Sequence, residues 1–139
     1  KGYRYFNTFG GNPVSCAAAM AVLQEIDDKG LVANAYSVGE YARERMDDLA
    51  ARHEVIGDVR GSGLIFGAEM VKDRATKVPA SEFTDRVINA MRHRGIILSR
   101  LGRYKNTLKI RPPMPFSKEN AGMLFDTLET VLSETRLNP

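Results

Sequence analysis

The segment Thr8–Ala19, which reads TFGGNPVSCAAA, decides how the rest of the chain is interpreted. Asn12 is a residue type favoured at a helix N-cap, and Pro13 suits the first helical position, because its missing N–H would have no partner there. The alanine-rich residues that follow favour a helix. The segment therefore predicts a glycine-containing turn and then a helix that runs from about Pro13 to Asp28 and ends at Gly30.

The same segment has the features of an anion-binding site. Thr8 supplies a hydroxyl, Gly10 and Gly11 allow close approach to the backbone, and the start of a helix offers unpaired N–H groups. The segment is not a phosphate loop, because it contains neither Gly-Lys-Ser/Thr nor GxGxxG. From the residues alone, a turn that only starts a helix explains the pattern as well, so both interpretations stay open.

The residues Asn7–Pro13 and the small-residue helix after them resemble a segment of the class III pyridoxal-phosphate-dependent aminotransferases, the ornithine and omega-aminotransferase group. In that family the threonine hydroxyl and nearby backbone N–H groups bind the phosphate of a cofactor held by the partner subunit of a dimer. The resemblance therefore implies a homodimer with pyridoxal 5'-phosphate as cofactor. It also implies that Thr8 and Phe9 are the cofactor-binding residues of this segment.

Two later stretches resemble the same family. Val59–Gly67, which reads VRGSGLIFG, is similar to the segment that opens the family's small C-terminal domain. Leu108–Met114, which reads LKIRPPM, is similar to the Leu-Arg-x-x-Pro-Pro-Leu segment, whose arginine binds the substrate α-carboxylate. Lys109 stands at the position of that arginine, so the resemblance implies that Lys109 is a substrate-binding residue.

The lysine at position 109 departs from the family pattern. Its ammonium group is a point charge and lacks the planar fork that matches a carboxylate. Either Lys109 binds an anion less selectively, or the substrate carries no α-carboxylate at that place. The second interpretation fits amine substrates, and it fits the amine phospho-lyase branch, which resembles this chain in having Leu-Lys-Ile-Lys-Pro-Pro-Met. The remaining alternative for Lys109 is a strand residue that faces solvent and has no function. Arg111 is interpreted as a structural residue whose position is fixed by Pro112.

No lysine of the chain matches the family's Schiff-base lysine, which lies N-terminal to the position of Thr8. No catalytic residue is therefore assigned, and this segment alone is expected to be inactive. Because the chain starts at Lys1 without an initiator methionine, we expect it to be the C-terminal third or so of a longer protein. Residues 1–30 are then the end of the large cofactor-binding domain with an interface helix, and residues 31–139 are the small C-terminal domain.

The activity implied by the resemblance is transfer of an amino group between an amine or amino acid and an oxo acid. A phospho-lyase that acts on a phosphorylated amine is the alternative enzyme. An alternative of another class is a free-standing α+β interaction module that binds a partner through the alanine-rich helix.

Periodicity outside these motifs predicts an α+β fold. Apolar residues recur at helical spacing over Leu31–Arg52, and the period changes to two in the strands on either side of Gly61–Gly63. The further predicted elements are a helix from an N-cap at Ser81 to His93, a buried strand at Ile96–Leu98, a strand at Thr107–Ile110 and a helix capped by Ser117. This order predicts a small, largely antiparallel sheet with helices on one face. It matches what the resemblance implies, the C-terminal domain of a fold-type-I pyridoxal-phosphate enzyme preceded by a linking helix.

The composition indicates a globular protein. Of 139 residues, 43% are hydrophobic and 27% are charged. The 20 basic and 17 acidic residues are dispersed and leave a net charge of only +3, which argues against a nucleic-acid partner. No apolar run approaches the ~20 residues needed to cross a bilayer, so no membrane partner is expected.

The few metal-ligating side chains do not form a recognisable site. His53 and His93 have no cysteine or carboxylate motif around them, so no metal is expected. The single cysteine, Cys16, cannot form an internal disulfide and is predicted to be a small buried residue of the first helix. Together with the absence of a signal peptide, these features predict a cytoplasmic protein.

Overall fold

A computed structural model describes residues 2–137 of the chain. The helices are α1 (Pro13–Asp28), α2 (Leu31–Arg52), α3 (Ser81–His93) and α4 (Lys118–Glu134). The strands are β1 (Ile56–Ser62), β2 (Ile65–Met70), β3 (Ser99–Leu101) and β4 (Thr107–Ile110). The chain divides into two compact units, Lys1–Val32 and Ala33–Pro139. Within residues 2–137, no helix combines the length and the apolar character that crossing a membrane requires.

The unit Ala33–Pro139 contains one antiparallel sheet with the strand order β1-β2-β4-β3. One face of the sheet carries the core, in which buried residues of α2, α3 and α4 pack on alternate strand residues. Those strand residues include Phe66, Ala68, Leu108 and Ile110. Within residues 33–137, no helix covers the other face, which we call the open face. The predicted α+β architecture, with a small antiparallel sheet and helices on one face, is confirmed.

The helix ends follow local signals in the sequence. Asn12 caps α1 with Pro13 at its first position, and Gly30 adopts a φ of +57° where α1 gives way to α2. Ser117 caps α4 and forms a reciprocal capping box with Asn120. The predicted bounds of α1 and α2 are confirmed, and the start of α1 is set by residues adjacent to the helix end.

The C-terminal end of α2 is closed by a side chain from a distant loop. Arg74 Nη2 donates hydrogen bonds to the carbonyl oxygens of Ala50 and His53, the latter at 3.1 Å. Arg74 Nε donates to Ile56 O, at the start of β1, at 3.1 Å. A helix leaves its last carbonyl groups without partners inside the helix. The guanidinium of Arg74 satisfies two acceptors at this end of α2 and joins them to β1.

The loop that carries Arg74 also contains an internal hydrogen-bonded turn. The Asp73 carboxylate accepts from the hydroxyl and the backbone N–H of Thr76, both at 2.7 Å, and these bonds lower the pKa of Asp73 below its ordinary value. A lowered pKa in the folded state gives a stabilising contribution that is present above the ordinary pKa of aspartate. The contribution is lost as the pH falls through the lowered value.

We expect Thr76→Val, which removes the hydroxyl and keeps the backbone N–H, to raise the pKa of Asp73 toward its ordinary value. NMR titration of the Asp73 carboxyl carbon measures this shift. Thr127→Val is the matched control, because the Thr127 hydroxyl bonds to Met123 O in α4. A Thr76→Val protein in which Asp73 titrates as before would contradict the role of the hydroxyl.

Three local predictions are wrong. Ser81 is the first residue of α3 and Ala80 the N-cap, since the Ser81 hydroxyl donates to Tyr104 O in the loop between β3 and β4. Ile96–Leu98 is not a buried strand, since β3 starts only at Ser99. Ile96 and Leu98 pack against the core, whereas Ile97 points away from it and is 87% exposed. The predicted burial of Cys16 is also wrong: Cys16 is exposed, and none of the residues of α1 is buried.

Candidate functional site

Thr8 and Phe9 lie in the turn that precedes α1. The turn spans residues 8–11, and Gly11 has a φ of +74°, a left-handed conformation that glycine adopts without strain. Asn12 ties the turn to the helix. Its Oδ1 accepts from the backbone N–H of Ser15 at 3.0 Å, and its Nδ2 donates to Phe9 O at 2.9 Å.

The hydrogen-bond donors of this turn are available to a ligand. Thr8 and Phe9 are exposed, Phe9 at 80%. Among residues 2–137, no acceptor is found for the Thr8 hydroxyl or for the backbone N–H groups of residues 8–11. Exposed hydroxyl and amide donors beside a helix N-terminus are what a phosphate group requires. The residues present therefore fit the cofactor phosphate that the resemblance implies, and their assignment to it stays a prediction.

Lys109 lies in β4 on the open face of the sheet. It pairs with Gly67 of β2 and with Ser99 of β3, and it is half-buried. Its neighbours Leu108 and Ile110 are buried. Because successive side chains of a strand point to opposite faces, the Lys109 side chain projects from the open face and not into the core.

A groove of about 490 Å³ crosses this open face. Its charged lining residues are Arg60, Glu69, Arg103, Lys109 and Arg111. Arg60 is paired with Asp58 at 2.8 Å and with Glu69 at 3.2 Å. The salt bridges formed within residues 2–137 leave the other three cations without a carboxylate partner. The groove is therefore positively charged and attracts anions.

A second cavity, of about 430 Å³, lies at the end of β4 and is mainly apolar. Its apolar lining residues are Ile96, Ile97, Leu98, Ile110, Pro112, Pro113, Phe116 and Leu124. Lys109 and Arg111 line this cavity as well as the groove. An apolar wall beside a few converging charges suits a small ligand with a carbon chain and an anionic end.

The predicted site residues fall in two parts of the chain. Thr8 and Phe9 belong to the unit Lys1–Val32, and Lys109 belongs to the unit Ala33–Pro139. Arg111, which the sequence led us to interpret as structural, is exposed and lines both cavities. The two-residue alternation from Lys109 was the signal that places Arg111 on the same face. Arg103 belongs to a locally basic stretch of the sequence, with Arg100 and Lys105, whereas Arg60 had no comparable signal.

Comparison with known proteins gives consistent matches over nearly the whole chain. The family model described as "Aminotransferase class-III" matches residues 4–132. Over 130 residues the chain is 42% identical to alanine–glyoxylate aminotransferase 2 homolog 2, mitochondrial, of Arabidopsis thaliana, covering 94% of this chain and 27% of that protein. It is 41% identical, also over 130 residues, to ethanolamine-phosphate phospho-lyase homolog 1 of Caenorhabditis elegans, with coverages of 93% and 28%.

A solved structure gives the same result in three dimensions. A phospholyase from Arthrobacter in complex with phosphoethanolamine superposes on this chain with a TM-score of 0.90 and 42% sequence identity. The superposition covers 95% of this chain and 31% of that one. The chain thus spans 27–31% of the length of these three relatives.

Proposed function

The chain belongs to the class III aminotransferase family, and on that premise we propose that it is part of a pyridoxal-phosphate-dependent enzyme that transfers an amino group between an amine or amino acid and an oxo acid. The observation that carries the proposal is the family match over residues 4–132. The fold agrees, because the α+β architecture with its small antiparallel sheet superposes on the Arthrobacter phospholyase with a TM-score of 0.90.

In this proposal Thr8 and the backbone N–H of Phe9 hold the cofactor phosphate across the interface of a homodimer. When bound, pyridoxal phosphate supplies the electron sink that amine chemistry requires. The Thr8 hydroxyl and its neighbouring amides contribute position and charge stabilisation, supported by the dipole of α1. Their exposure and their lack of acceptors within residues 2–137 support this role.

The other finer assignments are proposals of the same kind. The Schiff-base lysine belongs to a region upstream of Thr8, so the 139-residue chain alone is inactive. Residues 1–30 then complete the large domain, and residues 31–139 form the small one. A cytoplasmic location stays a prediction, since the Arabidopsis relative is named mitochondrial.

A phospho-lyase that acts on a phosphorylated amine is the second candidate, and Lys109 is the observation that favours it. A lysine in a positively charged groove binds a phosphate group as a point charge, and at this position it lacks the planar fork that would bind an α-carboxylate bidentately. Sequence identity does not separate the two candidates, because the aminotransferase and phospho-lyase relatives are 42% and 41% identical to the chain.

The test is to express the protein at the full length of its relatives, record the absorption of bound pyridoxal phosphate and follow its retention during dialysis. Phosphoethanolamine then separates the two candidates. A lyase releases inorganic phosphate without an oxo acid, whereas an aminotransferase consumes an oxo acid and releases no phosphate. A full-length protein that binds no cofactor would refute both and favour the interaction module.

A further inference from the structure

We propose that Arg111 is a second substrate-binding residue, which acts with Lys109 on the anionic end of the substrate and sets a preference for a dianion. The inference rests on the proposed function, because it takes the groove as part of the substrate wall. It holds whether the enzyme is an aminotransferase or a lyase. No bond is made or broken by Arg111, so the claim concerns binding alone.

The backbone puts Arg111 beside Lys109 on the same face. The two residues are two positions apart at the end of β4, which separates their Cα atoms by about 7 Å. Pro112 follows directly and restricts the preceding residue to extended backbone. The alternation of the strand therefore continues past Ile110, and Arg111 lines both the groove and the adjoining cavity.

The charges around Arg111 leave its donors available. Arg60 is paired with Asp58 and Glu69, and Arg100 is paired with Asp85 at 2.8 Å. Within the part of the chain that the structure describes, no such carboxylate faces Arg111. Its planar group offers five N–H donors and no acceptor.

The third cation of the groove is placed differently. Arg103 belongs to the loop between β3 and β4, and its guanidinium lies over the Tyr104 ring at 5.6 Å from the ring centroid. The Tyr104 ring covers one face of the Arg103 guanidinium. The charge of Arg103 still contributes to the positive electrostatic potential of the groove. Lys109 of β4 and Arg111, directly after the strand, by contrast line both the groove and the adjoining cavity, which brings them to one ligand group in this proposal.

A dianion makes use of both residues. A phosphate monoester presents three terminal oxygens, two of which match the fork of Arg111 while the third accepts from the ammonium of Lys109. A carboxylate has two oxygens, and a single cation satisfies it. Removing Arg111 is therefore expected to weaken phosphate binding more than carboxylate binding.

The experiment uses inorganic phosphate and acetate as probes on the full-length holoenzyme, in which the cofactor already fills its own phosphate site. Isothermal titration of phosphate is expected to show binding that weakens about tenfold in Arg111→Gln, because a hydrogen bond to a charged group is lost. Acetate binding is expected to change less than threefold. Arg92→Gln is the matched control, since Arg92 is an exposed residue in the last turn of α3, outside the lining of both cavities, and carries the same charge.

Unchanged phosphate affinity in Arg111→Gln, equal losses in both arginine variants or no phosphate binding by the parent protein would each overturn the inference. Arg111→Lys keeps the charge without the fork. It is expected to bind phosphate a few-fold less tightly than the parent, and it replaces the glutamine variant if that protein fails to fold. Failure of the proposed function gives a different result: the full-length protein would retain no pyridoxal phosphate and would convert no amine.

Discussion

Gly39→Ala is expected to lower the free energy of unfolding by about 2–3 kcal/mol, although alanine is the better helix former. Gly39 is buried in α2, and a Cβ atom at this position would lie 2.5 Å from the backbone oxygen of Gly63. Gly63 is in the turn between β1 and β2 with a φ of +53°, so it cannot move away without changing that turn. The close approach of α2 to the β1–β2 turn therefore requires glycine at position 39.

Gly122→Ala is the matched control for this prediction. Gly122 lies in α4, and the nearest atom to its added Cβ would be Tyr41 Oη at 3.6 Å, an ordinary van der Waals contact. This variant is expected to gain about 0.5–1 kcal/mol from helix propensity. Urea denaturation of the parent and both variants measures the difference. Equal stability of the two alanine variants would show that the contact between α2 and the turn tolerates a methyl group.

Thr8→Val in the full-length protein is expected to weaken the binding of pyridoxal phosphate by about 1–3 kcal/mol, or roughly 5- to 150-fold. Valine keeps the shape of threonine and removes the hydroxyl. Because Thr8 is exposed in the turn before α1, the substitution removes no core contact from its unit. The loss is therefore attributable to the missing hydrogen bond and not to unfolding.

Titration of the apoprotein with pyridoxal phosphate, followed by fluorescence, measures the change. Thr8→Ser restores a hydroxyl and is expected to bind the cofactor nearly as well as the parent. Ser15→Ala is the comparison variant for the turn, since it removes a hydroxyl of α1 whose oxygen accepts from Asn12 Nδ2 at 2.9 Å. If Thr8→Val binds the cofactor as tightly as the parent, Thr8 has no place in the site, although the family membership stands.

The parts of the fold that were predictable are those set by neighbouring residues. Asn12 with Pro13 starts α1, Gly30 ends it, and Ser117 starts α4, because a cap acts within a few residues of its helix end. The parts that failed depend on distant contacts. The Ser81 hydroxyl is drawn to Tyr104 O, a partner 23 residues away, and so does not cap α3.

Burial and ion pairing also depend on the folded arrangement. An apolar run such as Ile96–Leu98 has the same pattern whether it is a core strand or the wall of a surface cavity, and here it is the wall. Lys109 was found through resemblance, and its position on the open face follows from strand alternation. Arg60 pairs with Glu69 of the neighbouring strand and Arg100 pairs with Asp85 of α3, whereas Arg111 has no acidic partner within residues 2–137. This difference depends on which helices and strands are adjacent in the fold.

The attachment of Arg74 to the end of α2 has a consequence for engineering and proteolysis. By composition, the polar loop of residues 72–77 looks like a place to graft a peptide, split the chain or create new termini. Cutting it near Arg74 would release the guanidinium from the carbonyl groups of Ala50, His53 and Ile56 at once. Cleavage in this loop should therefore destabilise the last turn of α2 and the start of β1 together. Circular permutants with their termini in this loop are expected to be less stable at this edge of the core.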